Sequence, residues 1–370
     1  MSEVKTVEVV YDGRLVGRVA LDGNRLERFQ YDLGYLQDKG VSISPFELPA
    51  TPDLFVARSD PFEGGFGVFD DCLPDGWGLL IQDRYLRKRG INPRSLNMLE
   101  RLCIVGSTGR GALQFCPDRS VTAESDYVAL NRLAQEAARI LDDAAYDGEG
   151  IEQLQLRGGS PGGARPKVFV RDGDRELLVK FRAKGDPETI GEEEYRYSLL
   201  AKRCGVDMPE TFLLEGKYFA VERFDRTRDG RRAHVVSVAG LLGADYRIPS
   251  IDYEHVFRVC AALTHSAAQL WRVYRLMCFN YLIGNKDDHA KNFSFVYAYS
   301  RHPSDGEWRL SPAYDLLPSD GLNGYHTTSI NDSITPKDSD LTALASRMGL
   351  EKNMARRVLE EMRATVEGAR

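Results

Sequence analysis

An aspartate, an asparagine five residues on, and a second aspartate beyond an intervening hairpin form a constellation whose spacing suits one reaction. They are Asp287 and Asn292, in Gly284-Asn285-Lys286-Asp287-Asp288-His289-Ala290-Lys291-Asn292, and Asp315, in Ser311-Pro312-Ala313-Tyr314-Asp315. Moving a phosphoryl group to a hydroxyl needs a carboxylate placed to accept or orient the hydroxyl proton. It also needs oxygen ligands for Mg²⁺, a hard ion for which one amide and one carboxylate suffice beside phosphate and water. Asp-x-x-x-x-Asn has the spacing of a protein-kinase catalytic loop, although Asn285-Lys286 stands where such loops carry His-Arg. A polar loop ending a helix would also collect Asn, Asp and Gly. Charged residues and His289, clustered directly behind an apolar helix, favour chemistry. Asp315 could cap a turn or serve as the second metal ligand, with Leu316-Leu317 in place of a kinase Phe-Gly.

Other residues could bind the nucleotide. Lys180 ends the apolar run Leu177-Leu178-Val179-Lys180, and Glu192, Glu193 and Glu194 follow at the start of a helix. Lys180 either snorkels from a strand end, with the acidic run favouring a helix N-terminus, or is buried and paired. Glu194 is the preferred partner. The stretch Ser160-Pro161-Gly162-Gly163-Ala164-Arg165-Pro166-Lys167 could cradle phosphates through backbone N–H groups, since Gly162 and Gly163 permit close approach. It is not a Walker A loop, and glycine loops are often plain turns. Glu222-Arg223-Phe224 falls where a crossover between lobes would meet adenine, or is an ordinary strand end.

Positioning these groups requires strands first and helices later. Thr6–Tyr11, Asp12-Gly13 and Leu15–Leu21 read as a hairpin. Strand-like pieces follow at Leu26–Tyr31 and Leu54–Ala57, and a short helix opens at Gly76. Residues 126–142 carry a helical apolar face, and the acidic run 142–150 marks a candidate boundary. A glycine loop between strands, a strand ending in Lys180, a helix from about Ile190 to Cys204 and two more strands follow the order of a kinase N-lobe. From Val256 to Tyr281 apolar residues recur at helical steps, as one long helix or two broken near Thr264-His265-Ser266. Phe293–Tyr297 and Trp308–Leu310 form the later hairpin, and Asp340–Gly368 is helical again.

At 370 residues the chain can hold two domains or one large bilobal one, and 42% apolar residues allow sizeable cores. A net charge of −6 disfavours direct nucleic-acid binding by the whole surface. The six cysteines form no Cys-x-x-Cys pair, so neither a zinc site nor a disulfide framework is signalled. No secretory leader or membrane-length apolar stretch is read, and a cytoplasmic protein is expected.

Taken together, these residues resemble the HipA family of bacterial serine/threonine kinases, the toxins of toxin–antitoxin pairs. The resemblance runs through Leu73-Pro74-Asp75-Gly76-Trp77-Gly78, Val105-Gly106 with Gly111-Ala112-Leu113, and Ser160-x-x-Gly163-x-x-x-Lys167. It continues in Lys180, Val221-Glu222-Arg223-Phe224-Asp225-Arg226, Asp287-x-His289-Ala290-Lys291-Asn292-Phe293 and Tyr314-Asp315. It implies Asp287 as catalytic base and Asn292 and Asp315 as Mg²⁺ ligands. It implies that Lys180 holds the ATP phosphates and that Gly162, Gly163, Ala164, Arg165, Pro166 and Lys167 cover them. Glu222, Arg223 and Phe224 would contact adenine, with His289, Ala290, Lys291 and Tyr314 also lining the nucleotide site. Ser160 would be the inactivating autophosphorylation site. The implied partners are a protein substrate in translation, such as an aminoacyl-tRNA synthetase, and a HipB-like helix-turn-helix antitoxin that alone brings DNA; no membrane partner is implied. Arg165 stands where the family commonly has Gln, Pro161 and Pro166 stiffen the loop, and Asp288 replaces a usual small residue, adding a carboxylate to the catalytic loop.

The expected fold is α+β and bilobal kinase-like: a mixed N-lobe with an extra β-rich N-terminal subdomain, and a helical C-lobe. The segments are 1–118, 119–225 and 226–370. The expected activity is ATP-dependent serine/threonine-protein phosphorylation. Alternatives are a small-molecule kinase of aminoglycoside-phosphotransferase type and a catalytically inert module that binds antitoxin and DNA.

Overall fold

The computed structural model describes residues 4–121, 129–146, 148–158, 162–299, 302–321 and 323–369. Two compact units emerge, one of residues 1–192 and 212–234, the other of 193–211 and 235–370.

The first unit opens with the expected hairpin. β1 (Thr6–Tyr11) and β2 (Arg14–Leu21) turn through Asp12 and Gly13, both at positive φ, the conformation a tight two-residue hairpin requires. β3 (Glu27–Tyr31), β4 (Leu54–Val56) and β5 (Leu113–Cys116) complete an antiparallel sheet of order β4-β3-β2-β1-β5. Period-two alternation puts Val7, Val9 and Tyr11 inside. The short helices α1 (Leu33–Gln37) and α2 (Gly67–Asp70) precede α3 (Gly76–Lys88) and α4 (Met98–Val105). An Asn97–Glu100 capping box starts α4.

α5 (Leu130–Asp142) and α6 (Gly150–Gly158) follow. The sequence led to the expectation of a helix from 126; residues 122–128 lie outside the described ones. The residues read as loop to 150 and as a glycine-rich approach from 157 enclose α6, a full helix. β6 (Lys167–Asp172), β7 (Arg175–Lys180), β8 (Thr211–Leu214) and β9 (Tyr218–Glu222) form a sheet of order β6-β7-β9-β8. One core joins Val168, Val179 and Ala220 of this sheet to Leu133, Ala137 and Ile140 of α5 and Ile151 and Leu154 of α6. Trp77, Ile81 and Tyr85 of α3 enter the same core, so a helix of the expected first segment is buried against the second sheet.

α7 (Ile190–Arg203) falls mostly in the second unit. β10 (His234–Ser237), β11 (Ser294–Ala298) and β12 (Glu307–Leu310) make a small sheet of order β10-β11-β12. The helices are α8 (Val238–Leu242), α9 (Tyr253–Thr264), α10 (Ala267–Ile283), α11 (Asp338–Arg347) and α12 (Lys352–Glu367). The apolar run is two helices, broken at His265, whose left-handed backbone (φ +49) caps α9. The tail is likewise two helices, parted around Gly349 (φ +82). Among the described residues no helix is long and apolar enough to cross a membrane.

One buried and one half-buried carboxyl in the first unit set a pH dependence. Glu27 is fully buried, accepts from the Phe66 N–H at 2.8 Å, and is pushed by burial up to about 8. Glu47, accepting from the Gly67 N–H at 3.0 Å, is pushed by burial up to about 7. The folded chain keeps these protons where the unfolded chain has released them, so stability falls as pH rises from about 4.5 towards 8. Glu27→Gln keeps the shape and the acceptor but cannot ionise. It should stabilise the protein by roughly 2 to 4 kcal/mol at pH 8 and by little at pH 5. Thermal melts of both proteins across that range test this; parallel pH curves would refute it.

Candidate active site

The candidate catalytic loop hangs from the end of α10. Gly284 adopts the left-handed backbone (φ +73) that closes the helix, and its N–H returns to the carbonyls of Asn280 and Tyr281. Asn285, buried just beyond, donates through Nδ2 to Asn280 Oδ1 at 3.0 Å and to the Asp315 carbonyl at 3.1 Å. Backbone bonds from Ser319 to Gly284 (3.1 Å) and from Thr327 to the Lys286 carbonyl (3.0 Å) lay the loop between segments 315–319 and 326–329. Asp287 is exposed at the top of the loop. Asn292 donates through Nδ2 to the Asp287 carbonyl at 2.8 Å, which leaves its Oδ1 as the atom for a hard cation. Tyr314 donates to the Lys291 carbonyl at 2.7 Å and meets Ser294 Oγ at 2.6 Å. Asp315 sits at φ +53, a left-handed conformation uncommon outside glycine and tolerated by Asp. Asp287, Asn292, Tyr314 and Asp315 thus belong to one hydrogen-bonded assembly.

The carboxylate that Asp288 adds to the loop is fully buried. It accepts from Tyr253 Oη at 3.1 Å, from the Thr327 and Thr328 N–H groups at 3.1 and 3.2 Å, and lies 3.0 Å from His326 Nδ1. The Thr328 hydroxyl donates to the Asp288 carbonyl. Tyr253 is held in its protonated, donating form by burial and by the Asp288 charge, and Asn280 donates to its oxygen at 2.9 Å. Burying a carboxylate costs several kcal/mol unless donors replace water, and this ring of donors does so. Neighbouring aspartates therefore have opposite fates, one facing solvent and one anchoring the loop.

The lysine, glycine-loop and strand-end candidates lie in the first unit. Lys167 and Lys180 face each other across β6 and β7, both largely buried. Lys180 Nζ also lies 5.6 Å from the centre of the Phe219 ring, and Lys167 Nζ donates to the Gly162 carbonyl at 2.5 Å. The glycine loop rests on the start of α3. The Gly163 N–H donates to the Asp75 carboxylate, and the Gly163 carbonyl accepts from the Trp77 N–H at 3.0 Å. Trp77 Nε1 donates to the Lys167 carbonyl at 3.2 Å. A Cβ on Gly76 (φ +42) would lie 2.7 Å from the Gly163 carbonyl oxygen, so glycine is required there. The role of Asp75-Gly76-Trp77 in seating this loop was not read from the sequence, although its motif was noticed.

Arg165 pairs with Asp186 at 3.2 Å, and the Pro166 carbonyl accepts from the Phe181 N–H at 2.7 Å. Ala164 lies within the same loop. Glu222 ends β9, with Phe224 just beyond it. Arg223 has a structural occupation: its N–H donates to the Glu176 carbonyl at 2.8 Å, and its guanidinium grips Asp225 at 2.8 and 3.0 Å. Burial pushes the Asp225 carboxyl up, but Arg223 and Arg226 outweigh it and hold the group well below the usual carboxylate range. Asp225 also accepts the Gly111 N–H at 2.7 Å. Glu194 is buried on α7 in the second unit. Ser160 lies outside the described residues. His289 and Lys291 both meet Tyr246, a residue no sequence signal singled out.

The opposite environments of the two aspartates give a direct comparison. Asp288→Ala should cost roughly 3 kcal/mol or more, because several buried donors lose their acceptor. Asp287→Asn should change stability by less than about 0.5 kcal/mol, as exposed substitutions do. Denaturant titration of both variants measures this; equal stabilities would overturn the assignment of Asp288 as the anchor.

Comparison with known proteins places this geometry. A model described as the HipA-like C-terminal domain matches residues 159–369, and one described as the HipA N-terminal domain matches residues 7–116. Y4dM of Sinorhizobium fredii, named for an inferred kinase activity, is 31% identical over 396 residues, spanning 98% of this chain and 87% of that protein. The serine/threonine-protein kinase toxin HipA of Shewanella oneidensis is 23% identical, spanning 77% of this chain and 71% of that protein. A solved Shewanella oneidensis MR-1 HipA, in complex with HipB and operator DNA, shares the fold at a TM-score of 0.71 and 21% identity, covering 98% of this chain and 89% of that one. With both family models matched along its length, the chain belongs to the HipA family.

Proposed function

We propose that this HipA-family chain is an ATP-dependent serine/threonine-protein kinase. The observation that carries the reading is the hydrogen-bonded assembly of Asp287, Asn292, Tyr314 and Asp315. In this reading Asp287, exposed and next to a buried anchor, accepts the proton of the attacking hydroxyl. Asn292, its amide N–H spent on the Asp287 carbonyl, offers Oδ1 to Mg²⁺, and Asp315 offers its carboxylate. When bound, Mg²⁺ supplies neutralisation of charge on the phosphates. Lys180 and Lys167 hold phosphate oxygens. Gly162, Gly163, Ala164, Arg165 and Pro166 cover them with backbone groups. Glu222, Arg223 and Phe224 meet adenine, while the Arg223 guanidinium fixes Asp225 behind them.

Family membership supports the remaining roles. The acceptor is a protein hydroxyl in translation, of the aminoacyl-tRNA synthetase class, and the partner is a HipB-like helix-turn-helix antitoxin through which DNA is reached. Autophosphorylation at Ser160 inactivates the kinase by adding charge and acceptor oxygens to the glycine-loop segment.

Transfer of labelled γ-phosphate tests the base. Asp287→Asn should lower it by about 10²-fold or more, with folding intact; retained transfer would reject the mechanism. Ser160→Ala should abolish autophosphorylation, and a phosphate mapped elsewhere by mass spectrometry would reject that site.

A further inference from the structure

Of the four residues between Asp287 and Asn292, Asp288 and Ala290 are buried. The other two, His289 and Lys291, both meet the ring of Tyr246. The Lys291 ammonium lies 4.5 Å from the ring centre. The His289 ring lies 5.4 Å away, tilted by 56°. The Arg247 guanidinium is 4.6 Å from the same ring and pairs with Asp245 at 3.5 Å.

The fold delivers Tyr246 there by a short route. β10 runs into α8, which is capped at its start by Ser237 Oγ, and the Val238 N–H donates to the Phe293 carbonyl at 2.8 Å, directly behind the candidate catalytic loop. α8 packs on the turn Ala290–Asn292 and ends at Gly243 in the left-handed conformation (φ +63), so the chain turns and Tyr246 follows within three residues.

A lysine is a strongly hydrated point charge on a flexible stem. An aromatic face attracts the ammonium through the ring quadrupole and limits where it can swing. We propose that Tyr246 is a positioning residue: its ring holds the Lys291 ammonium, with His289 alongside, so that the cation stands next to Asp287 to meet phosphoryl oxygens. The role in transfer rests on the kinase reading above; the hold on Lys291 does not.

Two readouts separate these levels. The first is the acylation rate of Lys291 in the full chain, followed by peptide mass spectrometry without nucleotide. Tyr246→Ala should raise that rate about three-fold or more, and Tyr246→Phe, which keeps the ring face, should not. The second is γ-phosphoryl turnover. Tyr246→Ala should lower kcat by about three- to thirty-fold, Tyr246→Phe should stay near wild type, and Tyr246→Ala added to Lys291→Ala should cost nothing further. Should the alanine variant melt early, Tyr246→Leu, which keeps bulk without the π face, carries both readouts. Unchanged Lys291 labelling in the Ala or Leu variant overturns the hold. Raised labelling with unchanged turnover, or additive losses in the double variant, overturns the positioning role. A wild-type protein without turnover overturns the kinase reading and the role in transfer together, while labelling still decides whether the ring holds the lysine.

Discussion

The second unit depends on one buried carboxylate. Asp288 gathers a phenol, a histidine and two backbone N–H groups around itself, and these come from two other pieces of chain. Tyr253 starts α9, and His326 to Thr328 lie on the returning segment. Through Tyr253 and Asn280 the ring continues to Asn285, and from there to the carbonyl of Asp315. A buried anion tolerates little loss of donors, because each unmet bond carries the full desolvation penalty. The demands of Asp288 therefore fix the backbone that carries Asp287, Asn292 and Asp315. An apolar residue there could fill space but could not specify where three chain segments meet.

The first unit solves a related problem with cations. Lys167 and Lys180 are opposed in register and largely buried. The glycine loop beside them is seated on α3 by a carboxylate, two tryptophan N–H groups and a glycine whose place no Cβ could occupy. Because Trp77 is also buried in the core under the second sheet, the loop is fixed to packed structure at one side. At the far end of the sheet, Arg223 and Arg226 close on Asp225 and reach the Gly109 and Gly111 carbonyls. That cluster explains why the motif after β9 is so rich in charge without needing a ligand.

Much of the fold was legible because its signals are local. Asp12-Gly13 between alternating strands needs positive φ, and the break at Thr264-His265-Ser266 is a cap written into the sequence. α6 was missed because its glycines and acidic flanks imitate a loop, and its helicity comes from burying Ile151 and Leu154 against the sheet. Arg223 was read as a nucleotide contact from its place in the chain. Its N–H and guanidinium are engaged by Glu176 and Asp225, partners 47 and 2 residues away, and only the first required the fold to be seen. Tyr246 left no signal at all, since a single aromatic in a polar loop has no periodicity.

By itself the sequence determined the groups on offer: two carboxylates and an amide at kinase spacing, lysines ending and beginning strands, and a resemblance to one family. Spacing along a chain survives any packing, so such motifs can be read without coordinates. What only tertiary structure decided is which of two adjacent aspartates faces solvent and which is buried. Side chains of neighbouring residues in an irregular loop point wherever the surrounding donors draw them, and the donors to Asp288 come from residues 253 and 326–328. That separation in sequence is why the buried anchor of the loop could not be told from its exposed neighbour until the chain was folded.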